Sequence, residues 1–573
     1  MSFYQKLPHI SILTLSTAIL FGCGGGNTET QFDSQNSNTN SGSNTNTGSS
    51  SSTNTDSSTT GPDGNTDSNS KLDTELRDVI SLAELTGDPS VGRNLPNIKD
   101  KLPQLGKLLF FSKALGGDKD SACVTCHHPA LGGGDDLSLA IGVAAVNPDQ
   151  LGPGRTHDTF ALGWDGGPTM PRNVPSIFNV GMWDQAMFWE GRLNSMGKTP
   201  KMNGGDGAGI RTPDTPLNTA DENAGDTLPV ALARFPVTVN EEMRGFAFEA
   251  GKSNDAVRNH LAARLGNYGI GAGELQVNNW LPLFEKAFNS DAPLSDSAQV
   301  TGTSQAETLI TYANISKAIG EYGRSQVFVN SPWKAYVLGN NSAITESAKR
   351  GALLFFNPVT TDVNPTTPDS PPTLQKIGAG CASCHSGDFF TDEQTHVVAI
   401  PQIGRGKGDG VFGDDDFGRF RETADPTDKY AFRTPTLLNV TSTGPWGHSG
   451  AYETLEGIVR HHLNVEQAVA EFDYSQLTQQ GIQIEHAVVN TQKAVNQLVA
   501  KRNDDAQSGT NSKSLQNVNL TDLQVSDLLA FLEALTDPCV EDRQCLAPWI
   551  PNDNDPDPDD LRIKAVDFNN KPL

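Results

Sequence analysis

Cys123-Val-Thr-Cys126-His127 and Cys381-Ala-Ser-Cys384-His385 are two copies of one pattern, and this pattern decides the fold. In Cys-x-x-Cys-His the two thiols form thioether bonds to the vinyl groups of a haem, and the adjacent imidazole binds the iron. A thioredoxin-like redox pair or half of a zinc site is the alternative, but neither requires a histidine directly after the second cysteine. The sequence therefore predicts two covalently bound haem c groups, with His127 and His385 as axial ligands.

The remaining cysteines indicate an oxidising compartment. The chain has seven cysteines, of which four belong to the haem motifs. Cys539 and Cys545 follow the last predicted helix, and Pro538 with the charged residues after it favours a turn that brings their Cα atoms within bridging distance. We expect a disulfide between them that pins the C-terminal segment. Covalent haem c and a disulfide both point to a location outside the cytoplasm.

The N-terminus predicts export and a lipid anchor. Lys6 is followed by an apolar run, 10–21, that is too short to span a membrane in the mature protein. The run closes as Leu20-Phe21-Gly22-Cys23, which resembles a bacterial lipoprotein cleavage box. Residues 1–22 are therefore predicted to be a signal peptide and Cys23 to be lipidated, facing the periplasm from the outer membrane. An ordinary signal peptide with an incidental cysteine is the alternative.

Composition separates a tether and a tail from the globular part. Residues 24–70 are almost wholly Gly, Ser, Thr, Asn and Asp, so 23–71 is predicted to be a disordered tether that cannot bury a core. Residues 549–573 form an acidic tail, whose run 553–560 is predicted to be disordered. The net charge of −26 argues against nucleic acid, because a negative surface repels phosphate. We expect contact with the membrane only through the lipid anchor.

The haem motifs lie in an internal repeat. Gly106-Lys-Leu-Leu-Phe-Phe111 precedes the first motif and Gly351-Ala-Leu-Leu-Phe-Phe356 precedes the second. Pro175-Ser-Ile-Phe-Asn-Val180 follows the first, and Pro435-Thr-Leu-Leu-Asn-Val440 follows the second. The same order of elements in both halves indicates a duplicated haem domain.

The predicted fold is mainly α, with two cytochrome c-like haem domains in tandem and long loops. The N-terminal haem domain is predicted at 72–335 and the C-terminal haem domain at 336–548. Helices are expected before each motif, at 306–325 and at 521–535, the last with a capping-box pattern. A Gly/Asn/Asp/Pro-rich insertion near 197–228 enlarges the first domain.

Further motifs occur in a fixed order along the chain: Pro171-Arg-Asn-Val-Pro175, Phe188-Trp-Glu-Gly-Arg192, Glu242-Met243, Phe389-Phe-Thr-Asp392, Phe432-Arg-Thr-Pro435 and His448-Ser-Gly450. Together with the haem motifs, this order resembles the bacterial di-haem cytochrome c peroxidases and their MauG-type relatives. The resemblance implies that the N-terminal haem meets peroxide and that the C-terminal haem relays electrons. It also implies a tryptophan between the haems and a calcium ion at the domain interface.

The sixth ligand of the C-terminal haem is predicted to be histidine. The family usually has methionine there, but this chain has no methionine after Met243. Family alignment places His462 at the axial position, where MauG-type enzymes have tyrosine, and the apolar face of its helix favours it over His461. His461 and His396 are the alternative ligands.

The resemblance gives the N-terminal haem an open sixth site. The distal histidine of the family's resting state falls near Val143, which cannot bind iron. His157 in the next loop is interpreted as a solvated side chain, with a movement that brings it to the iron as the alternative. Glu242 matches the distal carboxylate that moves a proton between the peroxide oxygens. Pro236 matches a pocket-wall proline. Leu232 stands where the family has glutamine.

The remaining site residues also follow from the resemblance. Trp189 aligns with the tryptophan between the haems. Three residues match the calcium site of the family. The predicted ligands are the side-chain amide oxygen of Asn173 and the backbone carbonyl oxygens of Thr443 and Pro445. Haem propionates are expected to pair or pack with three further side chains, Met243, Arg192 and Arg433.

These residues predict a peroxidase that reduces hydrogen peroxide to water, with electrons from a cytochrome c or cupredoxin. A MauG-type oxidase or oxygenase acting on a partner protein or an organic polymer is the second hypothesis, supported by the missing glutamine and the long insertion. A non-enzymatic electron carrier is the third, and it requires six-coordinate iron at both haems.

Overall fold

The structure, a computed structural model, describes residues 64–288, 305–359, 378–508 and 514–573. It is helix-rich with little sheet, so the prediction of a mainly α fold is confirmed. Its helices are α1 Gly64–Leu82, α2 Lys101–Phe111, α3 Leu228–Leu232, α4 Asn254–Gly266, α5 Trp280–Phe288, α6 Gln305–Leu309, α7 Tyr312–Arg324, α8 Pro332–Val337, α9 Glu346–Phe356, α10 Phe420–Thr423, α11 Leu455–Leu463, α12 Val465–Ala470, α13 Ala487–Ser508, α14 Asp522–Glu533 and α15 Arg543–Leu546. In this described part of the chain, no helix has the length and apolar character needed to cross a membrane.

Short strands form two small antiparallel sheets. The first sheet has the order β1-β2-β3 and the second pairs β4 with β5. The strands are β1 Ala186–Met187, β2 Leu193–Ser195, β3 Ile210–Arg211, β4 Thr395–Val397 and β5 Ala431–Arg433. The predicted insertion 197–228 contains β3, which pairs with β2 and is therefore part of the folded body.

Two closely packed helix pairs correspond to the internal repeat. Gly106 in α2 lies against α7, where an added Cβ would overlap the carbonyl oxygen of Ala318. Gly351 in α9 lies in the same way against α14, where a Cβ would overlap the carbonyl oxygen of Asp527. Each repeat therefore uses its glycine to bring two helix backbones into contact.

The second repeated motif contributes one asparagine from each half of the protein, and both asparagines bind the same backbone carbonyl group. Asn179 and Asn439 both adopt a left-handed conformation, with φ of 60° and 64°. Both side-chain amides donate to the carbonyl oxygen of Phe328, each at 3.0 Å. The same residue type is needed at both places because it tolerates positive φ and supplies the donor.

Helix boundaries agree with the capping patterns. Thr521 and Gln524 form the predicted capping box at the start of α14, with the backbone N–H of Gln524 donating to the Thr521 hydroxyl at 3.3 Å. The helix predicted over 306–325 is interrupted, because Thr311 caps a new helix by accepting from the backbone N–H of Asn314.

The predicted end of the tether at residue 71 is wrong, because α1 already begins at Gly64. Leu76 and Ile80, four residues apart, give this helix a buried face. The side chain of Arg77 also donates to the carbonyl oxygen of Tyr336 at 2.8 Å. The signal peptide 1–22, Cys23 and the tether as far as residue 63 lie outside the described residues.

The prediction that the acidic tail is disordered is also wrong. Asp559 is buried and accepts hydrogen bonds from the Ser112 hydroxyl at 2.7 Å and the Trp280 indole at 2.9 Å. Ile563 and Ala565 are buried in the same core. The tail is ordered because its carboxylate finds protein donors in place of water.

Cys539 and Cys545 are joined in a disulfide with their Cα atoms 5.3 Å apart. The bridge links the turn Pro538–Glu541 to α15, immediately before the ordered tail. We expect mass spectrometry without reduction to find the two residues linked, because their separation lies within the roughly 4.4–6.8 Å that a disulfide requires. Two alkylatable thiols would contradict this assignment.

Candidate haem-binding sites

The two Cys-x-x-Cys-His loops hold their histidines in the same way. Cys123–Thr125 and Cys381–Ser383 each form a 3₁₀ turn. His127 Nδ1 lies 3.1 Å from the carbonyl oxygen of Gly133, and His385 Nδ1 lies 3.1 Å from that of Phe390. Since a carbonyl can only accept, each Nδ1 carries the proton. Each Nε2 therefore keeps a free lone pair, which is the arrangement of a metal-ligating imidazole.

Burial keeps these imidazoles neutral. It lowers the pKa of His127 and of His385 to about 4 each. It also raises the pKa of the Cys123 and Cys381 thiols to about 12 each. A neutral imidazole is the form that binds iron, so both histidines are ready ligands at physiological pH.

A mainly apolar cavity surrounds the C-terminal motif. It is lined by Cys381, Cys384 and His385, together with His462 and Arg433. Its apolar walls come from α11, α14 and the segment after β5 and include Leu437, Ile458, Val459, Leu463, Leu528 and Leu532.

Arg433 shows that this cavity fits a group with carboxylates. Its side chain is buried, and its Nη1 has no hydrogen-bond partner among the described residues. Its Nε donates to the Phe188 carbonyl at 3.1 Å, and its guanidinium lies 3.6 Å from the centre of the Trp183 ring. A buried guanidinium with an unused donor suits a haem propionate, so the residues of this cavity fit haem c.

His462 and His461 are separated by their hydrogen bonds. His462 donates from Nδ1 to the carbonyl oxygen of Ile458 at 2.8 Å, and this leaves its Nε2 free beside the cavity. Both nitrogens of His461 are occupied, Nδ1 by the Tyr452 hydroxyl at 2.7 Å and Nε2 by the Val398 carbonyl at 2.6 Å. The geometry therefore favours His462 over His461.

His396 also has a partner that competes with iron. Its Nε2 lies 2.9 Å from Asp392 Oδ2; burial lowers the pKa of His396, but the Asp392 carboxylate opposes this and favours the imidazolium. An imidazolium cannot ligate a metal. The prediction of His462 as the sixth ligand is the one that these contacts support.

His462→Ala should convert one low-spin haem to high-spin, because it removes the free Nε2 that faces the His385 site. EPR of the ferric protein measures this change directly. His461→Ala is the matched control and should leave the ligation intact, although the buried Tyr452 hydroxyl loses its partner. Low-spin signals unchanged by His462→Ala would assign the ligand elsewhere.

At the N-terminal motif, a single π-helical turn, Asn240–Arg244, carries Glu242 and Met243. The Met243 sulfur lies 3.9 Å from the Cys123 sulfur, so this turn packs directly on the haem attachment loop. Pro236 begins the 3₁₀ turn immediately before it. The structure therefore brings the predicted distal residues to the first Cys-x-x-Cys-His motif.

Glu242 is half-buried among charged side chains. Burial raises its pKa, while the positive charges of Arg192 and Lys407 act in the opposite direction. Its neighbour Glu241 faces elsewhere, with its carboxylate 3.8 Å from Arg405. Lys407 was missed from the sequence, where the only signal is its glycine-rich setting, Gly404-Arg-Gly-Lys-Gly-Asp-Gly410.

Val143 and His157, the two residues discussed above for the distal side of the N-terminal haem, are both buried. Val143 is buried, and its backbone N–H donates to the Glu241 carbonyl at 3.3 Å. The interpretation of His157 as a solvated side chain is wrong, because only 6 % of it is exposed. Its ring stacks on Trp164 with centroids 5.1 Å apart, and its Nδ1 donates to the Asp158 carbonyl at 2.7 Å.

Trp189 and the three predicted calcium ligands line the C-terminal cavity together. The Trp189 indole N–H donates to the carbonyl oxygen of Asn173 at 2.8 Å. The Asn173 side chain in turn donates to the Leu137 carbonyl at 3.0 Å. Thr443 and Pro445 stand on the same wall. Calcium binding at this wall stays a prediction.

Comparison with known proteins identifies the class. Residues 100–342 match the family model described as di-haem cytochrome c peroxidase. The chain is 26 % identical over 362 residues to the methylamine utilization protein MauG of Methylorubrum extorquens, a match covering 63 % of this chain and 67 % of that protein. It is 23 % identical over 379 residues to cytochrome c551 peroxidase of Pseudomonas aeruginosa, covering 66 % of this chain and 74 % of that protein.

Among solved structures, a MauG-like protein associated with microbial copper homeostasis aligns with a TM-score of 0.46 at 20 % identity, covering 78 % of this chain and 93 % of that one. From the sequence matches, the chain is a di-haem oxidoreductase of the cytochrome c peroxidase type. The matched segment, residues 100–342, resembles the di-haem cytochrome c peroxidase family, and this similarity implies two haem c cofactors.

Proposed function

We propose that the protein reduces hydrogen peroxide to water at the His127 haem, with electrons that enter from a small redox protein through the His385 haem. The observation that carries this proposal is the asymmetry of the two sites. The C-terminal cavity contains a second histidine, His462, with a free Nε2. The N-terminal motif instead has Glu242 and Val143 on the segments packed beside it. A doubly ligated iron suits electron transfer, whereas an open one suits peroxide.

Haem iron, when bound, supplies the redox centre at which peroxide accepts electrons. Glu242 supplies the proton chemistry, because the carboxylate takes a proton from one peroxide oxygen and returns it to the other so that water can leave. Burial raises the pKa of Glu242 and so favours proton uptake, while Arg192 and Lys407 favour its ionised form. Leu232, where the family has glutamine, leaves Glu242 to perform this task.

Trp189 is proposed to carry electrons between the haems. Its indole is fixed by the Asn173 carbonyl, and its own carbonyl accepts from the Arg433 backbone N–H at 2.7 Å. Calcium held by oxygens of Asn173, Thr443 and Pro445 would fix the same wall. These contacts support a rigid connection from the C-terminal cavity toward the N-terminal domain.

The proposal includes a periplasmic location, with lipidated Cys23 anchoring the protein at the outer membrane. The lipoprotein-like sequence before Cys23 supports it, as do the disulfide and the haem c motifs, which form outside the cytoplasm. The electron donor would then be a periplasmic cytochrome c or cupredoxin.

A MauG-type oxidase that acts on a partner protein is the second candidate function. Leu232 in place of glutamine and the similarity to MauG proteins favour it. The folded insertion around β3 also adds surface to the N-terminal half, where Asp221 accepts from the Thr212 hydroxyl at 2.6 Å and pairs with Arg234.

Ferric EPR followed by peroxide addition separates these functions. The peroxidase and oxidase both predict one low-spin and one high-spin haem, and a spectral change when peroxide is added. Two six-coordinate haems that do not respond to peroxide would show an electron carrier instead. Rapid turnover with reduced cytochrome c then supports the peroxidase over the protein oxidase.

A further inference from the structure

A second cavity lies beside the C-terminal haem cavity. One side is formed by residues 130–132, just after the first haem motif, and the other by segments that include 441–442, 444–446 and 478–481. Pro445 and Trp446 line both this cavity and the C-terminal haem cavity, so the two share a wall. A molecule bound here would be in contact with the surroundings of the C-terminal haem.

Two buried polar atoms on this cavity have no partner. His157 Nε2 and Ser138 Oγ make no hydrogen bond with the described residues, and their side chains are 6 % and 1 % exposed. His157 Nδ1 already donates its proton to the Asp158 carbonyl, so Nε2 is a lone-pair acceptor. Buried polar atoms are normally satisfied. These two are therefore suited to a ligand that carries a hydroxyl group.

The other lining groups favour a neutral aromatic molecule. Trp164, which stacks on His157, and Trp446, whose indole N–H donates to the Val440 carbonyl at 3.0 Å, supply flat apolar surface. Asp136 and Glu453 also line the cavity and would repel an anion.

Arg155 does not offset these carboxylates. Its guanidinium donates to three backbone carbonyls within 2.8 Å, those of Ile141, Gly142 and Gln150. Its donors are therefore directed at the protein backbone. Among the described residues that line the cavity, none offers a free cation with which to recognise an acidic ligand.

We propose that this cavity binds a small hydroquinone-type reductant, with its ring against the indoles and a hydroxyl donated to His157 Nε2. Oxidation to the quinone releases two electrons and two protons, and hydrogen peroxide consumes two of each to give two waters. The first proton passes to His157 Nε2, and the electrons leave across the Trp446 wall. The binding site stands on its own geometry, whereas the electron transfer rests on the proposed peroxidase function.

Isothermal titration calorimetry of the ferric holoprotein with 1,4-hydroquinone, without oxygen or peroxide, tests the site. We expect one saturable site, and a Kd raised roughly 3- to 10-fold by Ser138→Ala and by His157→Leu, since each removes one hydrogen bond. His486→Leu, a matched substitution outside this cavity, should leave Kd unchanged. Ser138→Ala removes a single hydroxyl and keeps the test valid if His157→Leu fails to fold.

Absence of saturable binding, or a Kd that neither variant changes, would overturn the proposal. Turnover with peroxide then tests the proposed binding site and the proposed peroxidase function separately. In the variants we expect the rate with hydroquinone to fall relative to the rate with reduced cytochrome c. Binding without peroxide reduction by either donor would support the site and contradict the peroxidase function.

Discussion

Glu242→Gln should keep both haems and slow peroxide reduction by roughly 10²–10⁴-fold, the usual contribution of a positioned acid or base. The substitution preserves the size of the side chain and removes its ability to exchange a proton. Glu242 lies on the turn that contacts Cys123 through Met243, and Leu232 provides no polar group to replace it. Stopped-flow measurement of the reaction with peroxide gives the rate.

Glu241→Gln is the matched control. Its carboxylate is directed at Arg405, so its removal should change the rate little. Native reaction rates in Glu242→Gln, or an equal loss in both variants, would show that Glu242 is not the proton-transfer group.

Glu242 should also determine how the rate of peroxide reduction falls at acidic pH. Burial raises the pKa of Glu242 above that of an ordinary glutamate, and the reaction requires its ionised form. Activity should therefore fall as the pH drops through this raised pKa, at a higher pH than an exposed glutamate would give. This acidic limb of the pH profile should disappear in Glu242→Gln. An unchanged acidic limb in that variant would assign it to another group.

Gly351→Ala should reduce the free energy of unfolding by about 3 kcal/mol, the upper part of the usual range for overpacking. Alanine normally stabilises a helix relative to glycine by about 1 kcal/mol. Here its Cβ would overlap the Asp527 carbonyl of α14, and a backbone carbonyl cannot rotate away as a side chain can. Gly106→Ala should have a similar effect through Ala318 in the other helix pair.

Gly323→Ala is the control, because this glycine is also helical but its added Cβ would meet only a Val180 methyl group, at 3.2 Å. Denaturant unfolding of the holoprotein, followed by circular dichroism, measures the difference. Equal stability of Gly351→Ala and Gly323→Ala would show that the helices do not pack as closely as described.

Local patterns could be predicted from the sequence because neighbouring residues determine them. The haem motifs, the capping box at Thr521 and the repeated glycines need only their own segment. The pairing of α9 with α14 could not be derived in this way, since Gly351 and Asp527 are far apart in sequence. The resemblance to a family supplied the grouping of Glu242, Pro236 and the first haem motif.

The wrong predictions concern residues whose partners are distant in sequence. Asp559 appeared to belong to a solvated acidic tail, but Ser112 and Trp280 satisfy its carboxylate. His157 appeared solvated because nothing in the sequence indicated that it stacks on Trp164. Composition describes the average environment of a segment, whereas a tertiary contact decides the environment of one side chain.

The choice between His461 and His462 shows the same limit. Both residues lie in the last turn of α11, and helical spacing alone only favours one of them. The contacts of Tyr452 and Val398 with His461 distinguish them, and both partners lie outside that helix.

Steady-state peroxide consumption by the mature holoprotein, with reduced cytochrome c as donor, tests the central claim most directly. Peroxide is measured electrochemically and donor oxidation by absorbance. The account predicts sustained turnover with two donor molecules oxidised for each peroxide, and its loss in Glu242→Gln. A holoprotein with both haems that oxidises no donor in the presence of peroxide would contradict it.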